Sequence, residues 1–108
     1  SPILKEHFNQ VIQDIYKVEE LGYYKNVKKL AQGTTFLKQD NTGPKALFAS
    51  LSYVQSGTDR LSRLYLLGHK NHFVKIRFTY DKAVQKHSEE TLKQFLNEIG
   101  AMIQRNSQ

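Results

Sequence analysis

The sequence predicts an α+β fold: a four-stranded antiparallel meander with an N-terminal and a C-terminal helix packed on one face. Apolar residues recur at helical spacing near both ends of the chain, and they alternate with period two between those ends. Turn-forming residues separate the alternating segments, most clearly at 40–44, 56–57 and 68–71. The predicted order of elements is therefore α-β-β-β-β-α.

The first helix is predicted over residues 3–21. Its apolar positions fall on one helix face, at Leu4, Phe8, Val11, Ile12 and Ile15. Pro2 stands where the first turn of a helix tolerates proline, and Gly22 is a natural stop.

The second helix is predicted over residues 88–104. Ser88 is the expected N-cap, and Glu89 and Glu90 place negative charge near the positive end of the helix dipole. Gly100 lowers helix propensity by about 1 kcal/mol relative to alanine, which does not outweigh so regular a pattern. The apolar stripe comprises Leu92, Phe95, Leu96, Ile99, Met102 and Ile103.

Four strands are expected between the helices, over residues 29–38, 45–55, 60–67 and 72–80. Gln32-Gly33 interrupts the first and makes it the weakest. The last has the β-branched and aromatic residues of a half-buried strand.

The strand register follows from the two hairpin loops. Taking Ser56-Gly57 as a two-residue loop pairs Leu66 with Leu47, Leu64 with Ala49 and Ser62 with Leu51. Taking 69–71 as a three-residue loop pairs Leu66 with Val74 and Leu64 with Ile76. Both choices keep arginine out of the core stripe. That predicted stripe comprises Leu47, Ala49, Leu51, Leu64, Leu66, Val74, Ile76 and Phe78.

Length and composition exclude several classes of protein. The 108 residues predict a single domain over 1–108, and 39% hydrophobic residues indicate a folded chain. No apolar run approaches the ~18 residues of a membrane span. The absence of cysteine excludes disulfides, thiolate metal sites and thiol nucleophiles.

Positive charge is concentrated in the predicted sheet and its loops. The formal net charge is +6, yet residues 22–86 alone hold twelve basic and three acidic residues. The helices are mildly acidic. Lys25, Lys28 and Lys29 beside Tyr23-Tyr24 have two interpretations, a solvated loop or a contact with anionic lipid or nucleic acid.

The second face of the predicted sheet is the candidate ligand or partner surface. Basic groups interleaved with aromatic rings are typical of single-strand nucleic-acid binding, by stacking and phosphate contacts. Two alternatives stay open. In the first, the face is covered by absent N-terminal strands or by self-association through the face or a sheet edge. In the second, it binds a small ligand or a protein. Its residues are Phe48, Arg63, Tyr65, Leu67, Phe73, Lys75 and Arg77.

No catalytic, metal or cofactor site is predicted. His69 and His72 lie three residues apart across a turn, short of the three or four ligands of a zinc site. The serines form no nucleophile elbow, and Gly57 and Gly68 belong to no phosphate-binding loop.

Residues 64–80 carry a resemblance. The segment ends in a Phe-Val-Lys-x-Arg-x-Thr-Tyr strand and is followed by a helix. It resembles the C-terminal half of small uncharacterised exported bacterial proteins, which have a PsbP-like α/β sandwich. The resemblance implies a periplasmic or lipoprotein setting, with a cytoplasmic one as the alternative, and N-terminal strands that this chain lacks. It implies no functional residues.

The function expected from the sequence is a non-enzymatic binding or accessory domain of an exported bacterial protein. The alternative is a nucleic-acid-binding module that uses the basic and aromatic sheet face.

Overall fold

The computed structural model describes residues 2–107 and confirms the predicted fold class and order of elements. Both helices and all four strands are present, and a short 3-10 turn at Lys82–Val84 precedes the second helix. The elements are α1 (Pro2–Glu20), β1 (Lys25–Phe36), β2 (Lys45–Gln55), β3 (Thr58–His69), β4 (His72–Asp81) and α2 (Gln85–Asn106).

The four strands form one antiparallel sheet in the order β1-β2-β3-β4. The predicted hairpin between β2 and β3 is confirmed, with Ser56 and Gly57 as its loop, both at positive φ. Leu47 lies opposite Leu66, Ala49 opposite Leu64 and Leu51 opposite Ser62, as expected.

The predicted register between β3 and β4 is wrong by one residue. The loop contains only Lys70 and Asn71, both in left-handed conformation with φ of 49° and 63°, so that His69 pairs with His72. Leu64 therefore lies opposite Arg77 rather than Ile76. Because side chains alternate along a strand, this shift places every β4 side chain on the face opposite to the predicted one.

The helices lie on opposite faces of the sheet, which corrects the prediction that both cover one face. On the first face, Phe8, Ile12 and Ile15 of α1 pack on Ala49, Leu51, Leu64 and Leu66. On the second, Leu92, Leu96 and Ile103 of α2 pack with Leu37, Ala46, Tyr65 and Leu67. We call these the α1 face and the α2 face. Val74, Ile76 and Phe78, predicted to share a stripe with Leu64, are half-buried on the α2 face instead.

The end of α1 agrees with the prediction. Gly22 adopts φ of 84°, which glycine reaches without steric cost, and its N–H donates to the Glu19 carbonyl. The Tyr23 N–H donates to the Val18 carbonyl, so two carbonyls of the last turn are satisfied.

Gln32-Gly33 does not interrupt β1, although this pair makes β1 the weakest strand in the sequence prediction. A β-carbon on Gly33 would lie 3.2 Å from Cε1 of Phe48 on the neighbouring strand. Glycine therefore allows the Phe48 ring to lie over the backbone of β1. The irregularities in this strand lie elsewhere, at Lys25–Lys28 and Lys29–Ala31.

The prediction that Ser88 caps α2 is wrong, since the helix begins three residues earlier at Gln85. Glu89 is consequently in the second turn and bonds to the sheet. Its Oε1 accepts hydrogen bonds from Arg63 Nη2 at 2.7 Å and from Tyr80 OH at 2.8 Å. Gln85 adds a third at 3.1 Å. This network ties the start of α2 to β3 and β4.

The pKa of Glu89 predicts a pH dependence of stability. Desolvation acts to raise the pKa of this carboxyl, but the hydrogen bonds from Tyr80 and Arg63 outweigh it and hold the pKa below its usual value. Because the folded state then binds its proton less readily than the unfolded chain, this stabilisation is present above about pH 4.3 and is lost as the pH falls through the folded pKa.

Urea unfolding of the wild type and of Glu89→Gln tests this expectation. The wild type should be the more stable at pH 7, and the difference should narrow towards pH 3. Glu98→Gln, at an exposed position of the same helix, is the control and should leave the profile unchanged. A difference that stays constant over this range would contradict the assignment.

Candidate functional site

The structure separates the seven residues predicted to form one open surface. Phe48, Arg63, Tyr65 and Leu67 lie on the α2 face, while Phe73, Lys75 and Arg77 lie on the α1 face. Tyr65 and Leu67 are 6% and 2% exposed beneath α2. Phe48 and Arg63 are half-buried. The predicted continuous aromatic and basic surface is therefore not formed.

The three residues that remain accessible belong to β4. Phe73 is 47% exposed and stacks on His7 of α1, with ring centroids 4.8 Å apart. Lys75 and Arg77 follow on the same side of the strand and are exposed. We call Phe73, Lys75 and Arg77 the cationic row of β4.

Arg77 is held in a fixed position by hydroxyl groups rather than by a carboxylate. Its Nη2 donates to Tyr24 OH and Tyr53 OH, both at 3.2 Å, and to Ser62 Oγ at 3.4 Å. The Tyr24 and Tyr53 rings stack with centroids 4.1 Å apart. Among residues 2–107, neither Arg77 nor Lys75 takes part in an ion pair. The row therefore presents uncompensated positive charge.

The hydrogen bonds around Arg77 stabilise its charged form. Desolvation acts to lower the pKa of the guanidinium, but the bonds to Tyr53 and Tyr24 outweigh it and raise the pKa. Desolvation likewise acts to raise the pKa of Tyr53, and the hydrogen bonds with Ser62 and Arg77 outweigh it and lower that pKa. Arg77 stays a cation at every pH at which the domain is folded.

The backbone of β4 forms an open sheet edge. In the described part of the chain, β4 is the last strand, and it pairs with β3 over ten consecutive residues without a bulge. Residues that flank a two-residue hairpin loop form a hydrogen-bonded pair, so His72, Val74, Ile76 and Phe78 direct their backbone groups towards β3. The alternate residues, from Phe73 to Thr79, direct their N–H and C=O groups outward.

Nothing in residues 2–107 satisfies these outward groups. The backbone hydrogen bonds outside helices and strands lie at the ends of α1 and α2 and around Leu37–Asn41. Unpaired edge groups of a long, regular strand are a template for pairing with another chain. The edge of β4 is such a template.

A row of partly exposed apolar side chains lines the other side of this edge. Val74, Ile76 and Phe78 are half-buried on the α2 face. On α2, Phe95 and Met102 are 42% and 43% exposed, and Ile99 lies between them at helical spacing. We call these six residues the apolar strip.

The contacts of α2 show towards which side of the sheet Phe95 and Met102 are directed. Asn97 Oδ1 accepts the backbone N–H of Gln39, and Gln104 accepts a hydrogen bond from Lys38 Nζ. Lys38 and Gln39 follow β1, at the far side of the sheet. Phe95 and Met102 lie on the opposite flank of the helix and are therefore directed towards β4.

The other outer strand, β1, is a poor template by comparison. Its pairing with β2 is irregular between Lys25 and Lys28 and again between Lys29 and Ala31. The backbone N–H of Val27 is already bonded to a Glu19 carboxylate oxygen at 2.8 Å. Bulges and an N–H that is already bonded are typical of edges that resist strand addition.

The histidines do not form a metal centre in the part of the chain that the structure describes. His69 and His72 face each other across the β3–β4 turn, and no group of three His, Cys, Asp or Glu side chains within residues 2–107 is placed to hold an ion. They line a shallow cleft of about 370 Å³ with Ile3 and Phe73, at the turn end of β4.

Sequence reasoning misses Phe95, Met102 and His7 as members of the site. Periodicity alone assigns both α2 residues to the stripe that packs on the sheet, and it gives no signal for the contact of His7 with Phe73. The available signal is the position within that stripe: Phe95 and Met102 lie at one margin of it, away from the line of Leu92, Leu96 and Ile103.

Neither helix in the described part of the chain is long and apolar enough to cross a membrane. Comparison with family models, curated proteins and solved structures gives no match to this chain.

Proposed function

We propose that this chain is a non-enzymatic binding module that holds an extended segment of another polypeptide as an added strand along β4. One observation carries the proposal: no residue within 2–107 pairs with the outward backbone groups of Phe73–Thr79, which lie on a regular edge between the cationic row and the apolar strip. In strand addition the backbone hydrogen bonds supply affinity and alternate side chains supply specificity.

The dimensions of the edge suit a short peptide segment. Seven residues from Phe73 to Thr79 span about 23 Å at roughly 3.3 Å per residue. A partner strand of this length would bond to the outward groups of Phe73, Lys75, Arg77 and Thr79. Its side chains would alternate between the two faces of the sheet.

The nucleic-acid hypothesis has less support than strand addition. Stacking of successive bases needs several accessible rings, but Tyr65 is buried and Phe48 is half-buried. Phe73 is the one accessible ring of the predicted surface, and one of its two faces is occupied by His7. Self-association through the predicted open face loses its basis as well, since that continuous face is not formed and α2 covers Tyr65 and Leu67.

Amide hydrogen exchange with short peptides tests the proposal. The probes are three seven-residue peptides in which valine alternates with glutamate, lysine or serine. With at least one of them, the amides of Phe73, Lys75, Arg77 and Thr79 should exchange at least tenfold more slowly. Lys75→Pro should abolish this protection, because it removes an outward donor that the fold itself does not use.

Lys75→Arg is the matched control, since it keeps both the N–H and the charge, and it should bind as the wild type does. Amide signals of β2 and β3 report whether each variant is folded. The proposal would be wrong if no peptide protected β4, or if Lys75→Pro bound as tightly as the wild type.

A periplasmic setting is also proposed. It is supported by the resemblance of residues 64–80 to exported bacterial proteins. Fractionation of cells that express the native gene would test it, and recovery of the protein in the cytoplasm would contradict it.

A further inference from the structure

We infer that the segment bound along β4 alternates apolar and acidic residues. The acidic side chains lie beside the cationic row and the apolar ones beside the apolar strip. This inference rests on the proposed strand addition and adds the chemistry of the partner.

The cationic row and the apolar strip contact different side chains of the partner, because successive side chains of an added strand point to opposite faces of the sheet. A partner residue opposite Lys75 or Arg77 lies on the α1 face. Its neighbours in the partner chain lie on the α2 face, next to Ile76 and Phe78. A period-two pattern in the partner therefore matches both rows at once.

The cationic row favours carboxylates. Arg77 is oriented by Tyr24, Tyr53 and Ser62 and keeps its charge, while neither it nor Lys75 has an acidic partner in the described part of the chain. Opposite charges directly across a strand pair are favourable and like charges are unfavourable. A carboxylate on the added strand would therefore give either cation an ion pair that no described residue provides.

The apolar strip favours aliphatic or aromatic side chains. Phe95 and Met102 are directed towards β4 and are more than two-fifths exposed, while Val74 and Ile76 are half-buried. An apolar partner residue would cover both sets of side chains. Methionine, which is unbranched and flexible, adapts to occupants of different shape.

Charge also argues against a second copy of β4 as the occupant. Two β4 strands paired antiparallel about residue 75, 76 or 77 would place Lys75 opposite Lys75, Lys75 opposite Arg77, or Arg77 opposite Arg77. Each arrangement sets like charges directly across from each other. Self-pairing centred on the cationic row is therefore disfavoured, and a separate acidic segment matches the charge of this row better.

Fluorescence anisotropy with the three peptides, each measured separately, tests the inference. At low ionic strength the valine–glutamate peptide should bind about tenfold more tightly than the valine–lysine peptide, with the valine–serine peptide between them. Added salt should narrow this difference. Lys75→Glu should reduce the preference at least threefold.

Two controls separate the cationic row and the apolar strip from general effects of charge and folding. The double variant Lys28→Glu/Lys29→Glu changes charge on the β1 edge and should leave the preference intact. Phe95→Ser should weaken all three peptides by a similar factor, since the apolar strip contacts the valines that they share.

The possible outcomes distinguish the inference from the proposed function. If the lysine or serine peptide protects the β4 amides as well as the glutamate peptide does, the inference is wrong and strand addition stands. If no peptide protects β4, strand addition fails and the inference fails with it. If Lys28→Glu/Lys29→Glu removes the preference, the acidic partner binds at β1 instead.

Discussion

Leu66→Ala should lower the free energy of unfolding by about 3–5 kcal/mol. Leu66 is 0% exposed and lies in the cluster formed by α1 and the centre of the sheet, with Phe8, Ile12 and Leu51 among its members. Removing its side chain leaves a cavity that rigid β neighbours cannot close. Because small domains are stable by only about 5–15 kcal/mol, such a loss is a large part of the total. Urea denaturation followed by circular dichroism measures it.

Leu30→Ala is the matched control, since Leu30 is 56% exposed on β1 and should lose less than about 0.5 kcal/mol. A cost below about 1 kcal/mol for Leu66→Ala would mean that α1 does not seal this face of the sheet. Equal losses of unfolding free energy in Leu66→Ala and Leu30→Ala would also contradict the placement of Leu66 in the core.

The elements of this fold could be predicted from the sequence because each has a local signal. Both helices, the β2–β3 hairpin and the α1 stop at Gly22 follow from periodicity and turn residues, and the structure confirms them. The positions of the helices relative to the sheet had no such local signal. They depend on which face of the sheet each apolar stripe meets.

The apolar residues on both faces of β3 explain why the face of the sheet was predicted wrongly for the side chains of β4. Leu64 and Leu66 point to the α1 face, and Tyr65 and Leu67 point to the α2 face, so the strand is apolar on both sides. The apolar residues of β4 can therefore pair with either set. Hydrophobic pattern fixes strand register only where one face is polar.

The length of the β3–β4 loop fixes the register of β4, but the residues of this turn do not say whether the loop has two or three residues. A two-residue loop of this kind needs positive φ at both residues, which Asn-Gly signals strongly. Here Lys70 and Asn71 adopt φ of 49° and 63°. Asparagine adopts positive φ readily, but lysine does so uncommonly, so Lys70 does not mark the first residue of the loop.

The candidate site was predicted only in part, because one part of it depends on local pattern and the other on the register of β4. Phe73, Lys75 and Arg77 alternate along one strand, so local pattern alone groups them, and they do share an exposed row. Joining them to Tyr65 and Leu67 required the register across the turn. Once that register shifts, the two sets separate to opposite faces, and α2 covers the second set.

Gly100→Ala should destabilise the domain by about 1 kcal/mol net, although alanine is the better helix former. The substitution gains about 1 kcal/mol in helix propensity. Against this, its β-carbon would lie 2.8 Å from Lys38 Cγ and 3.1 Å from Leu37 Cβ. Leu37 is 3% exposed, and the Lys38 Nζ is bonded to Gln104 at 2.9 Å, so neither side chain moves freely. Overpacking of this kind costs about 1–3 kcal/mol.

The matched control is Gly68→Ala, because Gly68 also has ordinary φ and nothing lies within 4 Å of the point that an added β-carbon would occupy. That variant should be neutral or slightly stabilising, by up to about 1 kcal/mol. Thermal and urea unfolding of both variants provide the comparison. If Gly100→Ala were stabilising by the full helix-propensity difference, α2 would not contact the chain after β1. Since that contact orients the helix, Phe95 and Met102 would then lose their placement towards β4.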